Sequence, residues 1–392
     1  MKRKRKKKLK KWVKLVLFII VVVILISFTK NNILTNKHNN NKSNKTNDKK
    51  VVTTTKKEEK NELSMIMTGD CLLHTIVYKA AEQQDGSYSF KDMFSNIAPL
   101  VKGYDLAYYN QESIIGGKVL GLSSYPTFNS PEEIGDEMVD MGFNLVSLAN
   151  NHTMDKGVKG VTNSVEYWRT KPGVYWTGQA LSEEERQKNI RVEEKNGIKY
   201  AFLSYTTVTN GLLPPSNMDY LSNVYSDEKA KKDIELIKDK VDLIIVAMHW
   251  GVEYTNSEVD EQKNIANYLS SLGVNLIIGN HPHVIEPITY VNDTLVFYSL
   301  GNFVSSQDTS DKLTGALAGL KIKKENDKIT FSDININLIY TSFKRSYPYN
   351  FKLYPYQMLD SSILVNYNSY YEKYKTILTK EEPTVKVVAL QW

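Results

Sequence analysis

A chain of 392 residues has room for two average domains, and 41% hydrophobic with 24% charged residues is a globular composition. The net charge of +6 hides an uneven distribution: nine Lys or Arg stand in residues 1–11, Lys14 follows, and nine more stand in residues 29–62, leaving 31 basic against 40 acidic side chains from residue 63 onward. An acidic main body argues against nucleic acid as a partner, and the single cysteine excludes a disulfide framework.

In chain order, residues 1–11 form a basic segment, and residues 12–28 (WVKLVLFIIVVVILISF) carry only one charge, Lys14. Seventeen helical residues reach about 25 Å, a little short of a hydrocarbon core of about 30 Å, so Lys14 would snorkel and the bilayer thin slightly. A cleaved signal peptide is the competing reading. Thr29-Lys30-Asn31-Asn32 offers no small-x-small cleavage pattern, so an uncleaved transmembrane anchor is expected. The cations concentrated before the span place the N-terminus in the cytoplasm and the remainder outside the cell membrane. Residues 29–62, rich in Asn, Lys and Thr, cannot bury enough apolar surface to order themselves and read as a disordered tether.

From residue 63 apolar runs alternate with amphipathic stretches, the pattern of an α/β domain. Strands are predicted over 64–68, 105–109, 143–148, 199–205, 242–248, 274–278, 295–300, 316–323 and 328–340, and helices over 131–141, 158–170, 227–240 and 258–272. Ser130 is expected to cap the first of these helices and Pro131 to start it. The domain is assigned to 63–340, with 341–392 as a tyrosine-rich C-terminal extension in which chemical motifs stop.

The informative residues stand at the predicted strand ends. Gly69-Asp70 follows MIMT, Asn110-Gln111-Glu112 follows LAYY, Asn150-Asn151-His152 follows LVSLA, His249-Trp250-Gly251 follows LIIVAM, and Asn280-His281-Pro282-His283 follows LIIG. Five of the six histidines lie in such clusters, beside carboxylates and amides; His38 lies in the tether. Taken singly, each motif is more often a turn or a core histidine than a ligand; together, on one edge of an α/β sheet, they read as a site for divalent metal. His281 and His283 are the strongest pair, because an extended segment would put both imidazoles on one side with Pro282 fixing the backbone between them. For His74 there is a plain alternative, that Leu72-Leu73-His74 opens a helix covering the sheet. A Trp at position 250 is more often a packing residue than a substrate platform, but after a ligand candidate Trp250 is expected to wall the pocket, and Asn302 to donate a hydrogen bond at the same edge. Cys71, beside Asp70, invites a nucleophile reading, but the apolar pair Leu72-Leu73 after it and the lack of a dedicated base favour a buried thiol.

The order Asp…His, acid, Asn-His, His, His-x-His resembles the calcineurin-like metallophosphatases, and TGDCLLH, NQES, TFNSP, SLANNHTMDKG, HWGVEY, IIGNHPHVIEP and YSLGNFV are similar in wording to the poly-γ-glutamate capsule biosynthesis (CapA/PgsA) family. The resemblance covers about residues 64–304. It implies a metallophosphatase-like layered β-sandwich flanked by helices, and one or two divalent ions (Mn, Fe or Zn). Asp70, His74 and His283 would hold the first ion, Glu112 would bridge, and Asn151, His249 and His281 would hold the second. It further implies that His152 is the acid or electrostatic stabiliser, that Asp155 orients it, and that Asn129 faces substrate. Two spacings depart from the metallophosphatase pattern: Asp-x-x-x-His instead of Asp-x-His, and Asn-Gln-Glu instead of Gly-Asp.

Three functions fit these residues. The first is a membrane-anchored hydrolase or transferase acting outside the cell in synthesis, release or attachment of an anionic cell-surface polymer, with poly-γ-glutamate implied by the resemblance. The others are a metal-dependent phosphoesterase and a non-catalytic membrane subunit that works with other subunits of a polymer synthase.

Overall fold

Two sheets packed face to face organise the domain, in a computed structural model that describes residues 61–388. The basic segment, the expected anchor and nearly all of the tether lie outside the described residues. Among the described residues no helix is long and apolar enough to cross a membrane.

The first sheet contains β1 (Glu62–Cys71), β2 (Leu106–Asn110), β3 (Leu145–Ser147), β4 (Tyr175–Thr177), β11 (Asn302–Val304), β12 (Thr314–Glu325), β13 (Lys328–Ser342), β14 (Lys352–Pro355) and β15 (Lys386–Val387). Its order is β14-β13-β12-β1-β2-β3-β4, with β11 on β1 and β15 on β13. The second contains β5 (Glu193–Lys195), β6 (Ile198–Thr206), β7 (Leu243–His249), β8 (Leu276–Asn280), β9 (Ile288–Val291) and β10 (Thr294–Phe297), in the order β5-β6-β7-β8-β10-β9. β1 to β4 run parallel, as do β6, β7, β8 and β10, so these two bundles end at one edge.

Strand alternation builds the layers. Met65 and Met67 of β1 and Tyr108 of β2 meet Phe202, Ile245 and Ile278 of the second sheet in the central core, while Ile66, Ala107 and Val146 point the other way, onto Val77, Ile134, Val161 and Trp168 of the helices Thr75–Ala81, Glu133–Met141 and Gly157–Arg169. On the far side Leu203, Val246 and Ile277 pack against Ile234, Ile265 and Leu269 of the helices Asp227–Glu235 and Asp260–Ser271. Parallel strands buried on both faces need apolar residues at every position, which is why LIIVAM and LIIG are unbroken in the sequence.

The layered sandwich flanked by helices is present, and every strand predicted from the sequence has a counterpart. The short strands β4, β5, β9 and β11 were not anticipated; three or four residues are too few to show a period. The helix after Pro131 starts at Glu133, and Ser130 does not cap it: its hydroxyl is 2.9 Å from that of Ser113. The residues after 340 continue the first sheet through β14 and β15, and the helix Tyr367–Thr379 buries Tyr374 and Leu378 in the central core.

Candidate metal centre

All five strand-end clusters meet where the parallel strands of both sheets end. Asp70 stands at the end of β1, where β1 and β11 come so close that a Cβ on Gly69 would lie 1.7 Å from the Gly301 carbonyl oxygen. That is the reason for Gly69 before the acid. Glu112 follows β2, His249 is the last residue of β7, and His281 and His283 follow β8. Asp70, Glu112, His249, His281 and His283 are all buried.

Their ligand atoms form two groups that share Glu112: Glu112 with His249 and His281, and Glu112 with Asp70 and His283, every atom within 4.8 Å of the others in its group. In the first, His249 Nε2 is 3.7 Å from Glu112 Oε1, 3.2 Å from His281 Nδ1 and 3.0 Å from Asn151 Oδ1. In the second, His283 Nε2 is 3.6 Å from Glu112 Oε1 and His283 Nδ1 is 3.4 Å from Asp70 Oδ2. Donors bound to one ion at about 2.0–2.2 Å stand about 3–4 Å apart, so this spacing suits shared ions.

The decisive feature is Glu112. It is fully buried, and neither of its carboxylate oxygens has a hydrogen-bond partner. A buried carboxylate is ordinarily paired, because desolvation of an unpaired one costs several kcal/mol. Burial, then the neighbouring Asp70, pushes its proton affinity well above the usual carboxylate range, with His283 opposing. Burial and the adjacent His281 lower His249 far below an ordinary histidine, and burial with His283 lowers His281 to about 4, so both rings are neutral and offer lone pairs. Burial works against a charge on His283 too, but Glu112 and Asp70 outweigh it and raise this group to about 9. The residues present therefore fit divalent ions: carboxylates and imidazoles converge, and the shared carboxylate has both oxygens free.

His281 and His283 come together for a different reason from the one expected. They are not extended: their φ angles are +96° and +59°, the left-handed region that side chains rarely adopt. The turn is held by the His281 amide, which donates to Asp70 Oδ2 at 3.1 Å, and by the Tyr254 amide, which donates to the Pro282 carbonyl at 2.8 Å. Backbone held off its preferred region by surrounding contacts is a feature of functional sites.

Over this floor opens a cleft of about 620 Å³, lined by His74, Phe128, Asn151, His152, Asn210, Glu253, Tyr254 and His283, among others. His152 Nδ1 is 2.7 Å from Asp155 Oδ2, which leaves Nε2 for the cleft; the Phe128 ring meets the imidazole edge-on at 4.6 Å. Asp155 also accepts from the Phe128 amide and so fixes the loop that walls the cleft.

Four residues stand elsewhere than expected. His74 is outside both ligand groups: it is the residue before the helix Thr75–Ala81, and its Nδ1 accepts from the Ser306 amide at 3.3 Å. Trp250 is a core residue, not a pocket wall. Next to His249 on an extended backbone it must point to the opposite face, where it packs with Met248 and Tyr298 and its Nε1 donates to the Tyr298 carbonyl at 3.0 Å. Asn129 does not face substrate, since its amide is consumed by the Gly116 amide and the Gly117 and Gly121 carbonyls, each 2.9 Å away. Asn302 does not reach substrate either: its Oδ1 is 3.0 Å from His283 Nδ1 and accepts that proton, turning Nε2 toward Glu112.

Residues 64–307 match the family described as bacterial capsule synthesis protein PGA_cap. The chain belongs to this family. It is 30% identical over 279 residues to the PGA biosynthesis protein CapA of Bacillus subtilis (67% of this chain, 68% of the relative) and 27% identical over 288 residues to the capsule biosynthesis protein CapA of Bacillus anthracis (68% and 66%). Among solved structures it is similar to the calcineurin-like phosphoesterase YfkN of Bacillus subtilis, with 15% identity, a TM-score of 0.43 and coverage of 71% of this chain and 90% of that one. It is also similar to the NAD nucleotidase of Haemophilus influenzae, with 12% identity, a TM-score of 0.42 and coverage of 80% and 60%. The stretch matching the capsule family holds all seven expected metal ligands and both expected catalytic residues.

Sequence reasoning missed two contributors. Asn110 donates to Asp70 Oδ1 at 2.8 Å and so orients a carboxylate; as the last residue of β2 it points into the site, and its place two residues before Glu112 was the available signal. Glu253 carries a carboxylate oxygen 3.9 Å from His283 Nε2 and lines the cleft. Only its position, four residues after His249 in HWGVE, marked it.

Proposed function

We propose that this capsule-family chain is a membrane-anchored enzyme whose domain works outside the cell, where it makes or breaks a carbonyl-centred bond of a poly-γ-glutamate-type polymer with the help of divalent metal. The observation that carries the metal-dependent part is the buried Glu112 carboxylate, whose two unpartnered oxygens stand between the two histidine groups. The role in capsule synthesis rests on family membership, and the anchoring on the basic segment and apolar run at residues 1–28.

Asp70 and His283 would hold one ion, Asn151, His249 and His281 the other, with Glu112 shared. Bound there, Mn, Fe or Zn would polarise the substrate carbonyl oxygen and make a water or amine a stronger nucleophile. The chain's own residues do the rest. Asn110 and the His281 amide fix Asp70, and Asn302 fixes His283. His152, oriented by Asp155, offers Nε2 to the cleft as proton donor to a leaving group or hydrogen-bond donor to a developing oxyanion. Phe128 and the loop pinned by Asp155 wall the cleft beside His152.

Elemental analysis of the purified full chain, followed by product analysis on γ-glutamyl amides and on phosphate esters, tests this reading. The expected result is one to two equivalents of a transition ion and turnover of the amides. Turnover confined to phosphate esters would make the protein a phosphoesterase, and full polymer production in cells by a metal-free Glu112→Gln variant would make it a non-catalytic subunit.

A further inference from the structure

The cleft has an unusual charge for a site meant to hold a polyanion. Among the residues that line it there is no Lys or Arg, and the one carboxylate at its wall is Glu253. Phosphate and carboxylate groups are ordinarily held by Arg, Lys or helix N-termini, and a carboxylate beside them repels. Glu253 stands at the wall of this cleft, 3.9 Å from His283 Nε2, with its side chain 41% exposed and so accessible to a ligand. Its neighbour Tyr254 anchors the turn, through its amide on the Pro282 carbonyl and its ring stacked on His283 at 6.0 Å. The ammonium group of Lys312, over the Tyr254 ring, pairs with Asp308 at 2.8 Å and is already engaged.

We infer that Glu253 makes this cleft a subsite for a primary ammonium group, so that the site acts at the amine end of a γ-glutamyl chain and not along its middle. The inference rests on the proposed polymer reading and narrows it. Every internal residue of such a chain presents a carboxylate, which Glu253 repels; the terminal residue alone adds an ammonium, which Glu253 accepts in a charge-assisted hydrogen bond while the neighbouring carbonyl lies against the floor at His283.

The test is calorimetric binding of a γ-glutamyl pentamer, with its amine free or N-acetylated, to metal-loaded full-length protein and to its Glu253→Gln variant. The expected result is about tenfold or tighter binding of the free-amine form. Glu253→Gln should abolish that preference, weakening the free-amine form and, with the repulsion gone, tightening the acetylated one, and leave metal content unchanged. Equal binding of the two forms, or a preference that survives in Glu253→Gln, overturns the inference alone. Loss of metal in Glu253→Gln overturns it by making this residue a ligand. No binding of either form by metal-loaded protein overturns it together with the polymer reading.

Discussion

Two buried carboxylates in this domain meet opposite fates. Asp233, 1% exposed, receives both guanidinium nitrogens of Arg186 at 2.8 and 3.0 Å and the Tyr205 hydroxyl at 3.0 Å. Glu112, equally buried, receives nothing. The first is a structural ion pair whose partner is built into the chain; the second makes no hydrogen bond, and around it stand the neutral rings of His249 and His281, the His283 ring, raised to about 9, at 3.6 Å, and another carboxylate. A buried acid without a partner is therefore a better marker of chemistry than a buried acid as such.

Four substitutions separate the two cases. The largest effect is expected for His152→Ala, which should lower turnover roughly 10²–10⁴-fold while metal content by elemental analysis stays as it was; parallel loss of metal would show that His152 is a ligand. Asp233→Ala should cost about 1–3 kcal/mol in denaturant unfolding, because the buried Tyr205 hydroxyl loses its acceptor and Arg186 keeps only Glu183, without touching metal content. Glu112→Gln should do the reverse, emptying the centre while the metal-free protein stays as stable or becomes more so; a large loss of metal-free stability would make Glu112 structural. Asn302→Ala should weaken metal binding by about 10–100-fold, read by chelator competition, because His283 would lose the acceptor that fixes its ring.

Glu286 is the intermediate case and gives the smallest effect. One of its oxygens accepts from Gln262 at 2.7 Å, the other has no partner, and burial raises its pKa from 4.5 to about 8. A carboxyl raised on folding contributes stability that is fully present below the unfolded value and is lost as pH rises through the folded one. Between pH 7 and 8 the loss should be about 1 kcal/mol. Glu286→Gln should flatten that part of the profile; an unchanged slope would mean that Glu286 is ionised in the fold.

The floor of the centre was legible in the sequence because parallel strands announce themselves as apolar runs and end at a common edge, so polar residues after Met248 and Gly279 had to converge. Side-chain direction was less legible. His249 and Trp250 look like one motif, yet successive residues on an extended backbone face opposite layers, a rule that would have sent Trp250 to the core beforehand. The turn at His281 and His283 was illegible for a physical reason: its left-handed backbone is imposed by Asp70 and Tyr254, which are distant in sequence and act only once folded. Asn129 was read as facing substrate and Asn302 as a hydrogen-bond donor at the site edge, whereas both amides are spent on their own surroundings, an outcome that composition does not encode.

The seam position of the centre has a consequence for the order in which the molecule matures. Asp70 comes from one sheet and His281, 211 residues later, from the other, and no subset of neighbouring residues can assemble the set. Contacts so far apart along the chain form late. A half-folded chain thus lacks the full set that would hold an ion, and metal uptake becomes a timestamp of completed folding: protein refolded from denaturant should regain its native core signal before it withdraws metal from a fluorescent indicator.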